Sequence, residues 1–396
     1  RVRNLLVVTQ IACALVLLIS AALFLRSAQK LQQVPLGFQP NDVTMMRVAL
    51  PGDRYSDDTA VQTAFARIVE QVRAIPGVEH AGASTRVPMW GPSIDIGLRV
   101  DGRPANPDRV DAGHVRLVTE GFLNAMRIPL KRGRQFTAND LSAGAPPVVL
   151  INETLARQLF GETNPIGQRL SGWTAAEAPE WREIVGVVSD VRAFGLERDV
   201  PPEIFMPLTQ APGGAWNAFQ RGVTIVARAR PGISIASGVR RAVDRVDPLL
   251  PLYDVQSMRD VLSQATETRR FNTLLLTLLG LTGLTLAAIG IYGILAFFVS
   301  QRTHEISVRM ALGATAGNIT SLVIRQAVTL AGSGVVVGIV VAFWATRTLT
   351  TMLFDLQATD PMASVGAAAV LFTVALLAAF LPARRAARTQ PLRSLI

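Results

Sequence analysis

The 396-residue sequence has one cysteine, Cys13, and three histidines, His80, His114 and His304. A lone thiol excludes an intrachain disulfide framework and a cysteine-built metal centre. Histidines so far apart have none of the spacing of metal ligands. No G-x-x-x-x-G-K-[ST] occurs, so the chain encodes no phosphate-binding loop of its own. His304-Glu305 begins like the zinc-protease H-E-x-x-H, but position 308 is Val308, which removes the second ligand. Ser27-Ala28-Gln29-Lys30 has the form S-x-x-K, yet its β-lactamase companion motifs and any G-x-S-x-G elbow are missing. No catalytic, cofactor or metal site is therefore expected in this chain.

Charge is missing too, over long stretches. Leu5 to Leu25 is uncharged, as is Phe271 to Val299, while Ile319 to Ala345 holds only Arg325 and Met362 to Leu381 holds none. A bilayer core of roughly 30 Å needs about 20 apolar helical residues, so the sequence predicts four spans and a lipid bilayer as surroundings. The first run is longer than the usual signal-peptide core and continues through Leu23-Phe24-Leu25 past the small residues Ser20-Ala21-Ala22, so it reads as an uncleaved anchor. Pro382 is expected to close the last span. Because ionisable residues are almost absent from the spans, no proton relay or charged substrate path through them is expected. Small residues recur instead, as Gly280, Gly283, Gly290 and Gly293 and as the Gly334-x-x-x-Gly338 motif, and these predict close helix packing.

The net charge of +10 is unevenly distributed. Between Leu31 and Thr268 there are 25 basic and 26 acidic residues, so the excess flanks the spans and is no nucleic-acid footprint. Arg1, Arg3, Arg302, Arg309, Arg325, Arg384, Arg385, Arg388 and Arg393 fall on one side, against Arg26, Lys30, Arg269, Arg270 and Arg347 on the other. The positive-inside rule then predicts cytoplasmic termini, a cytoplasmic 301–318 loop and an outside domain. Arg1 in place of Met suggests a processed chain or a fragment of a longer one.

Within the outside domain, Val43 to Leu50 and Val78 to Ser84 read as strands around an amphipathic helix, Asp57 to Ile75, with Val61, Phe65, Ile68 and Val72 on one stripe. A second round comprises the strand Val148 to Ile151, a helix to about Phe160, strands at Ile184 to Val188 and Thr224 to Ala229, and a helix from Ser234 to Val246. Mixed elements of this length predict an α+β domain of two lobes. From Gln256 to Val299 nothing breaks a helix, so one rod is expected to run from that domain into the second span, with a kink at Arg269-Arg270 as the alternative.

QRTHEISVRMALGAT, 301–315, lies between the second and third spans. Glu305 and Arg309 stand four apart, acid first, the favoured order for an ion pair along a helix. Ile306, Met310 and Leu312 supply an apolar edge, and Gly313 suits a left-handed helix end. The same pattern also suits an interfacial connector.

These residues belong to a longer resemblance. GIYGILAFFVSQRTHEISVRMALGAT (290–315) is similar to the signature of the MacB-like, FtsX-like ABC permeases, G-I-Y-G followed by R-x-x-E-I-G-I-R-x-A-L-G-A, with Ser307 in place of Gly. PARRAARTQPLRSL (382–395) resembles the family's ending, with Ser394 for Ala, and INETLARQLFGETNPIGQRL (151–170) and EIVGVVSDVR (183–192) resemble its periplasmic core. The resemblance implies an α-helical membrane protein in the bacterial inner membrane, with a first transmembrane helix (1–30), a MacB-like periplasmic α+β core domain (31–268) and an FtsX-like permease domain (269–396). It implies pairing with a second permease half or a second copy, and a separate cytoplasmic ATPase that binds the ATP. The 301–313 segment would be the coupling helix, presenting Arg302, Glu305, Ile306, Arg309, Met310, Leu312 and Gly313 to that ATPase. A periplasmic adaptor is a further partner of such permeases. A start at Arg1 would fit one half of a duplicated permease. Three functions stay open: export or extraction of a hydrophobic cargo, non-transporting mechanotransmission to a periplasmic hydrolase, and, outside the family, a four-span receptor with an extracellular sensor domain.

Overall fold

The structure is a computed structural model that describes residues 2–104, 111–142, 144–172, 180–312, 315–349 and 361–387. In chain order the helices are α1 (Val2–Gln32), α2 (Asp58–Arg73), α3 (Phe122–Met126), α4 (Glu153–Phe160), α5 (Ala215–Ala218), α6 (Ala236–Val246), α7 (Met258–Gln301), α8 (Thr303–Ala311), α9 (Ala316–Leu349) and α10 (Pro361–Ala387). The strands are β1 (Val43–Ala49), β2 (Val78–Ser84), β3 (Ile94–Gly97), β4 (Arg99–Val100), β5 (Ala112–Val118), β6 (Leu130–Gly133), β7 (Val148–Asn152), β8 (Arg169–Ser171), β9 (Arg182–Val188), β10 (Glu203–Pro207), β11 (Gly222–Ala229) and β12 (Leu252–Ser257). The chain divides into two units, residues 35–266 and residues 1–34 with 267–396.

In the first unit the 12 strands are hydrogen-bonded in the order β12-β1-β11-β2-β5-β10-β7-β9-β8-β4, with β3 on β5 and β6 on β9. Two runs of strands meet where β2 touches β5, at the register pair Ser84–Val118. Side chains alternate along each strand, and β7, β10 and β11 are buried on both faces. Met46 and Val48 of β1 join one core with Val61, Phe65 and Ile68 of α2, while Val43 and Met45 join the other with Phe122 and Met126 of α3. In β7, Val149 and Ile151 likewise face the first core, and Val148 and Leu150 the second. Such two-sided burial explains why VVLI reads as a continuous apolar run instead of an alternation. The Asp57 side chain caps α2 by accepting from the Ala60 N–H at 2.8 Å, and Asn152 caps α4 through the Leu155 N–H at 2.9 Å.

The second unit holds four helices long and apolar enough to cross a membrane, over Asn4–Leu31, Arg270–Gln301, Gly317–Trp344 and Ser364–Arg385. Ile11, Leu15, Ile19 and Leu23, at i, i+4 spacing on α1, are all buried. Their neighbours are glycines: Gly334 and Gly338 of α9 lie against Ile11, Ala12 and Leu15, and Gly280, Gly283 and Gly290 of α7 against Leu17, Ala14 and Val7. A Cβ on Gly293 would meet nothing within 4 Å among the described residues. Removing the side chain lets backbones approach, which is how small residues hold helices together where lipid is as apolar as leucine. Thr277, Thr282, Thr285, Thr329 and Thr373 each donate to the carbonyl four residues back, so their hydroxyls present no free donor to the bilayer.

One expectation needs adjustment. Pro382 does not end α10, which continues to Ala387. A proline removes only its own N–H bond to the carbonyl four residues back, and the amides beyond it resume the ladder. As expected, α7 is a single helix of 44 residues that runs through Arg269 and Arg270.

Candidate functional site

α7 ends at Gln301, and α8 starts after one turn residue, Arg302. The Arg302 N–H donates to the Val299 carbonyl at 3.2 Å, and the Thr303 hydroxyl reaches the Val299 and Ser300 carbonyls at 3.1 and 2.9 Å. These three bonds cap the last carbonyls of α7 at the turn. On α8, Glu305 stands between two arginines. Its Oε1 accepts from Arg309 Nη2 at 2.6 Å, and its Oε2 lies 3.7 Å from Arg302 Nε. The Arg302 guanidinium also sits 4.6 Å from the Phe298 ring centre, a cation–π contact back onto α7. All three charged groups are about half exposed.

Ile306 is 4 % exposed and joins the bundle core with Ile294, Leu295, Ile319 and Val323. Leu312 is 83 % exposed. The expected edge of Ile306 and Leu312 is therefore split, because six residues at 100° each leave them about 120° apart around the helix. Leu312 is instead joined outside by Val308, also exposed, whose carbonyl accepts from the Leu312 N–H at 3.0 Å. Glu305, Val308, Arg309 and Leu312 then fall within an arc of about 100°, mixing an ion pair with two bare apolar side chains. The predicted 301–313 helix shortens to 303–311. Gly313 lies outside the described residues, as do Arg388 and Arg393, and the Met310 side chain is likewise outside them.

Position 308 was legible only as the residue that broke a zinc motif, and its exposure gives it a second meaning. A link no motif announced ties the far end of α10 to α7, where Arg385 Nη1 donates to the Tyr292 hydroxyl at 2.9 Å. With Gly290 against Val7 and Gly280 against Leu17, α1 runs antiparallel to α7. The start of α1, the end of α10 and α8 thus lie at one end of the bundle. Gly334 and Gly338, the predicted packing pair, are occupied within the chain by α1. No group of three or more His, Cys, Asp or Glu suited to a metal occurs among the described residues.

Residues 5–245 match the family described as MacB-like periplasmic core domain, and residues 277–391 the family described as FtsX-like permease C-terminal. The chain is 27 % identical over 376 residues to the macrolide export ATP-binding/permease protein MacB of Rhodospirillum rubrum, covering 89 % of this chain and 55 % of that protein. It is 24 % identical over 279 residues to the uncharacterized ABC transporter permease YknZ of Bacillus subtilis, covering 70 % and 68 %. Against the pyoverdine export ATP-binding/permease protein PvdT of Pseudomonas aeruginosa the identity is 26 % over 285 residues, covering 69 % and 41 %. The chain spans about half the length of the macrolide exporters it matches. One family match takes in more than half of the sequence and the other takes in its three C-terminal spans. The chain belongs to the ABC transporter permeases that join a MacB-like periplasmic core domain to an FtsX-like permease domain.

Proposed function

We propose that the chain is a permease subunit that couples ATP hydrolysis, by a separate cytoplasmic ATPase, to motion of its periplasmic domain for export or extraction of a hydrophobic cargo. The observation that carries this reading is the outward face of α8. Ile306 fixes the helix to the bundle while Glu305, Val308, Arg309 and Leu312 stay outside, so a push on that face is delivered to α1 and α9. The cytoplasmic placement of this end rests on the arginine bias. ATP is bound by the partner, in keeping with the lack of a phosphate-binding loop here. The names of MacB and PvdT join an ATP-binding part to a permease and name exported compounds, a macrolide and pyoverdine, while YknZ is named as a permease alone. Pairing with a second permease half or a second copy, and contact with a periplasmic adaptor, complete the proposed assembly.

The spans carry almost no ionisable groups, which supports transmission of motion over passage of a charged substrate between these helices. The unbroken α7 equally suits a second reading, a non-transporting mechanotransmitter that controls a periplasmic hydrolase. A receptor unrelated to ABC permeases is set aside by the family match. The test is the double change Glu305→Ala with Arg309→Ala. An exposed pair of this kind contributes only about 0.2–0.5 kcal/mol to its helix, whereas truncating a charge desolvated against a partner costs ~2–5 kcal/mol of binding. The variant is expected to accumulate and melt like the parent, yet fail to co-purify with the ATPase. Normal recruitment and stimulation of the ATPase would reduce α8 to a connector.

A further inference from the structure

Arg325 is the one charge inside the third span, and the coupling reading gives it no role. It lies eight residues past Gly317, about 12 Å along the helix axis, within a hydrocarbon core of roughly 30 Å. Val323 and Ala327, two residues to either side, are buried in the bundle core. At about 100° per residue, two steps put Arg325 on the far side of α9 from both, and it is exposed. The four spans contain no Asp or Glu, so neither this bundle nor the spans of a second copy offer the guanidinium a counter-charge. A charge that faces hydrocarbon is costly and has to be answered.

The face of α9 that carries Arg325 changes character along its length. Asn318, Ser321, Arg325, Val328, Val336 and Phe343 follow one another at helical spacing and are all exposed. Toward α8 this face is polar, with an amide and a hydroxyl. Away from α8 it is apolar, with Val328 39 %, Val336 64 % and Phe343 54 % exposed. Between them, a Cβ on Gly332 would meet nothing within 4 Å among the described residues, so no described helix covers this face. Side chains lean toward the N-terminus of their helix, which carries the Arg325 guanidinium toward the polar end and the nearer membrane surface.

We propose that this face of α9 binds an anionic phospholipid, with the phosphate on the Arg325 guanidinium, the headgroup beside Ser321 and Asn318, and an acyl chain along Val328, Val336 and Phe343. The planar guanidinium fork matches two phosphate oxygens at once. A lipid supplies both halves of the match, an anion at headgroup depth and a chain below it, which a soluble anion does not. An acidic headgroup is favoured over a zwitterionic one, whose own cation already neutralises its phosphate. The proposal is independent of the ATPase-coupling reading, and a reversed orientation of the chain would change only the leaflet.

The test uses the full chain in phospholipid vesicles, with Cys13 replaced and a fluorescent label on Val328→Cys. Quenching by phosphatidylglycerol brominated on its acyl chains is compared with quenching by phosphatidylcholine brominated in the same way. Phosphatidylglycerol is expected to be favoured at position 328 by roughly fivefold, the equivalent of about 1 kcal/mol. The same label on Leu286→Cys, exposed on α7 and far from any arginine in the chain, is expected to show no preference. Arg325→Gln is expected to abolish the preference at position 328, and Arg325→Lys, which keeps the charge without the fork, to lower it to roughly twofold. If Arg325→Gln does not insert, the comparison of positions 328 and 286 in the parent still decides. Equal quenching by the two lipids at position 328 would overturn the proposal, as would the same preference at position 286 or an undiminished one in Arg325→Gln. So would a lack of quenching by either lipid, which would mean that a protein covers this face.

Discussion

Gly338 of α9 lies so close to Ala12 of α1 that a Cβ on it would stand 3.1 Å from the Ala12 Cα and 2.9 Å from Leu15 Cδ2. Backbone atoms cannot swing away as a side-chain end can, so the two helices must separate to admit even a methyl group. Gly338→Leu is expected to lower the melting temperature of the purified chain by several degrees and weaken its membrane accumulation, in line with the usual cost of about 1–3 kcal/mol for overpacking. Gly293→Ala, whose new methyl group meets nothing within 4 Å among the described residues, is expected to be silent in the same melt. Equal behaviour of the two variants would contradict the packing of α9 on α1.

Asp140 gives the outer domain an acid-sensitive contact. Hydrogen bonds from the Arg134 guanidinium at 2.6 and 3.0 Å, then from the Thr137 N–H and hydroxyl at 2.7 and 2.8 Å, hold its carboxyl at about 2, against 3.8 ordinarily, although burial opposes them. A carboxyl whose pKa is depressed on folding stabilises above its unfolded value, and loses that contribution as pH falls through the folded one. The window here is about pH 4 to 2. Asp140→Asn is expected to cost about 2 kcal/mol at neutral pH and to flatten the acid limb in that window. Chemical denaturation of both proteins across pH 2–7 measures it.

Topology is tested by thiol labelling of single cysteines after Cys13 is replaced. Positions 52, 144 and 213 are expected to react with an impermeant reagent in intact cells, and positions 304 and 388 only after permeabilisation. Labelling of position 304 from outside would reverse the orientation inferred from the arginine bias.

A proline in the interior of a helix costs ~3 kcal/mol and kinks it. Ala265 is exposed on α7 ahead of the span, so Ala265→Pro disturbs no core packing. This variant is expected to keep its spans inserted and the ATPase bound while ATP hydrolysis no longer drives transport. Unimpaired transport would mean that α7 does not transmit the motion.

Most elements were readable because their causes are local. The caps at Asp57 and Asn152, the stripe of Val61, Phe65, Ile68 and Val72, and the uncharged spans each act within a few turns of chain. Pro382 misled because a proline forbids one hydrogen bond and not a whole helix. The site was half legible. Glu305 and Arg309 follow from spacing, but which apolar residues of α8 turn inward depends on where α1 and α9 lie, and that is a tertiary fact. The buried pair Arg116 and Glu203 left no trace in the sequence, since it depends on β5 and β10 lying side by side, with its two residues 87 apart in the chain.

The most direct measurement of the central claim is site-specific crosslinking from position 312. Leu312 is 83 % exposed beside Val308 and next to the Glu305–Arg309 pair. A photoreactive residue there, in the assembled complex in membranes, is expected to capture the ATPase chain, with a yield that changes between ATP-bound and nucleotide-free states. Capture of lipid or of a second permease copy alone, in a complex that still hydrolyses ATP, would show that force enters this permease elsewhere.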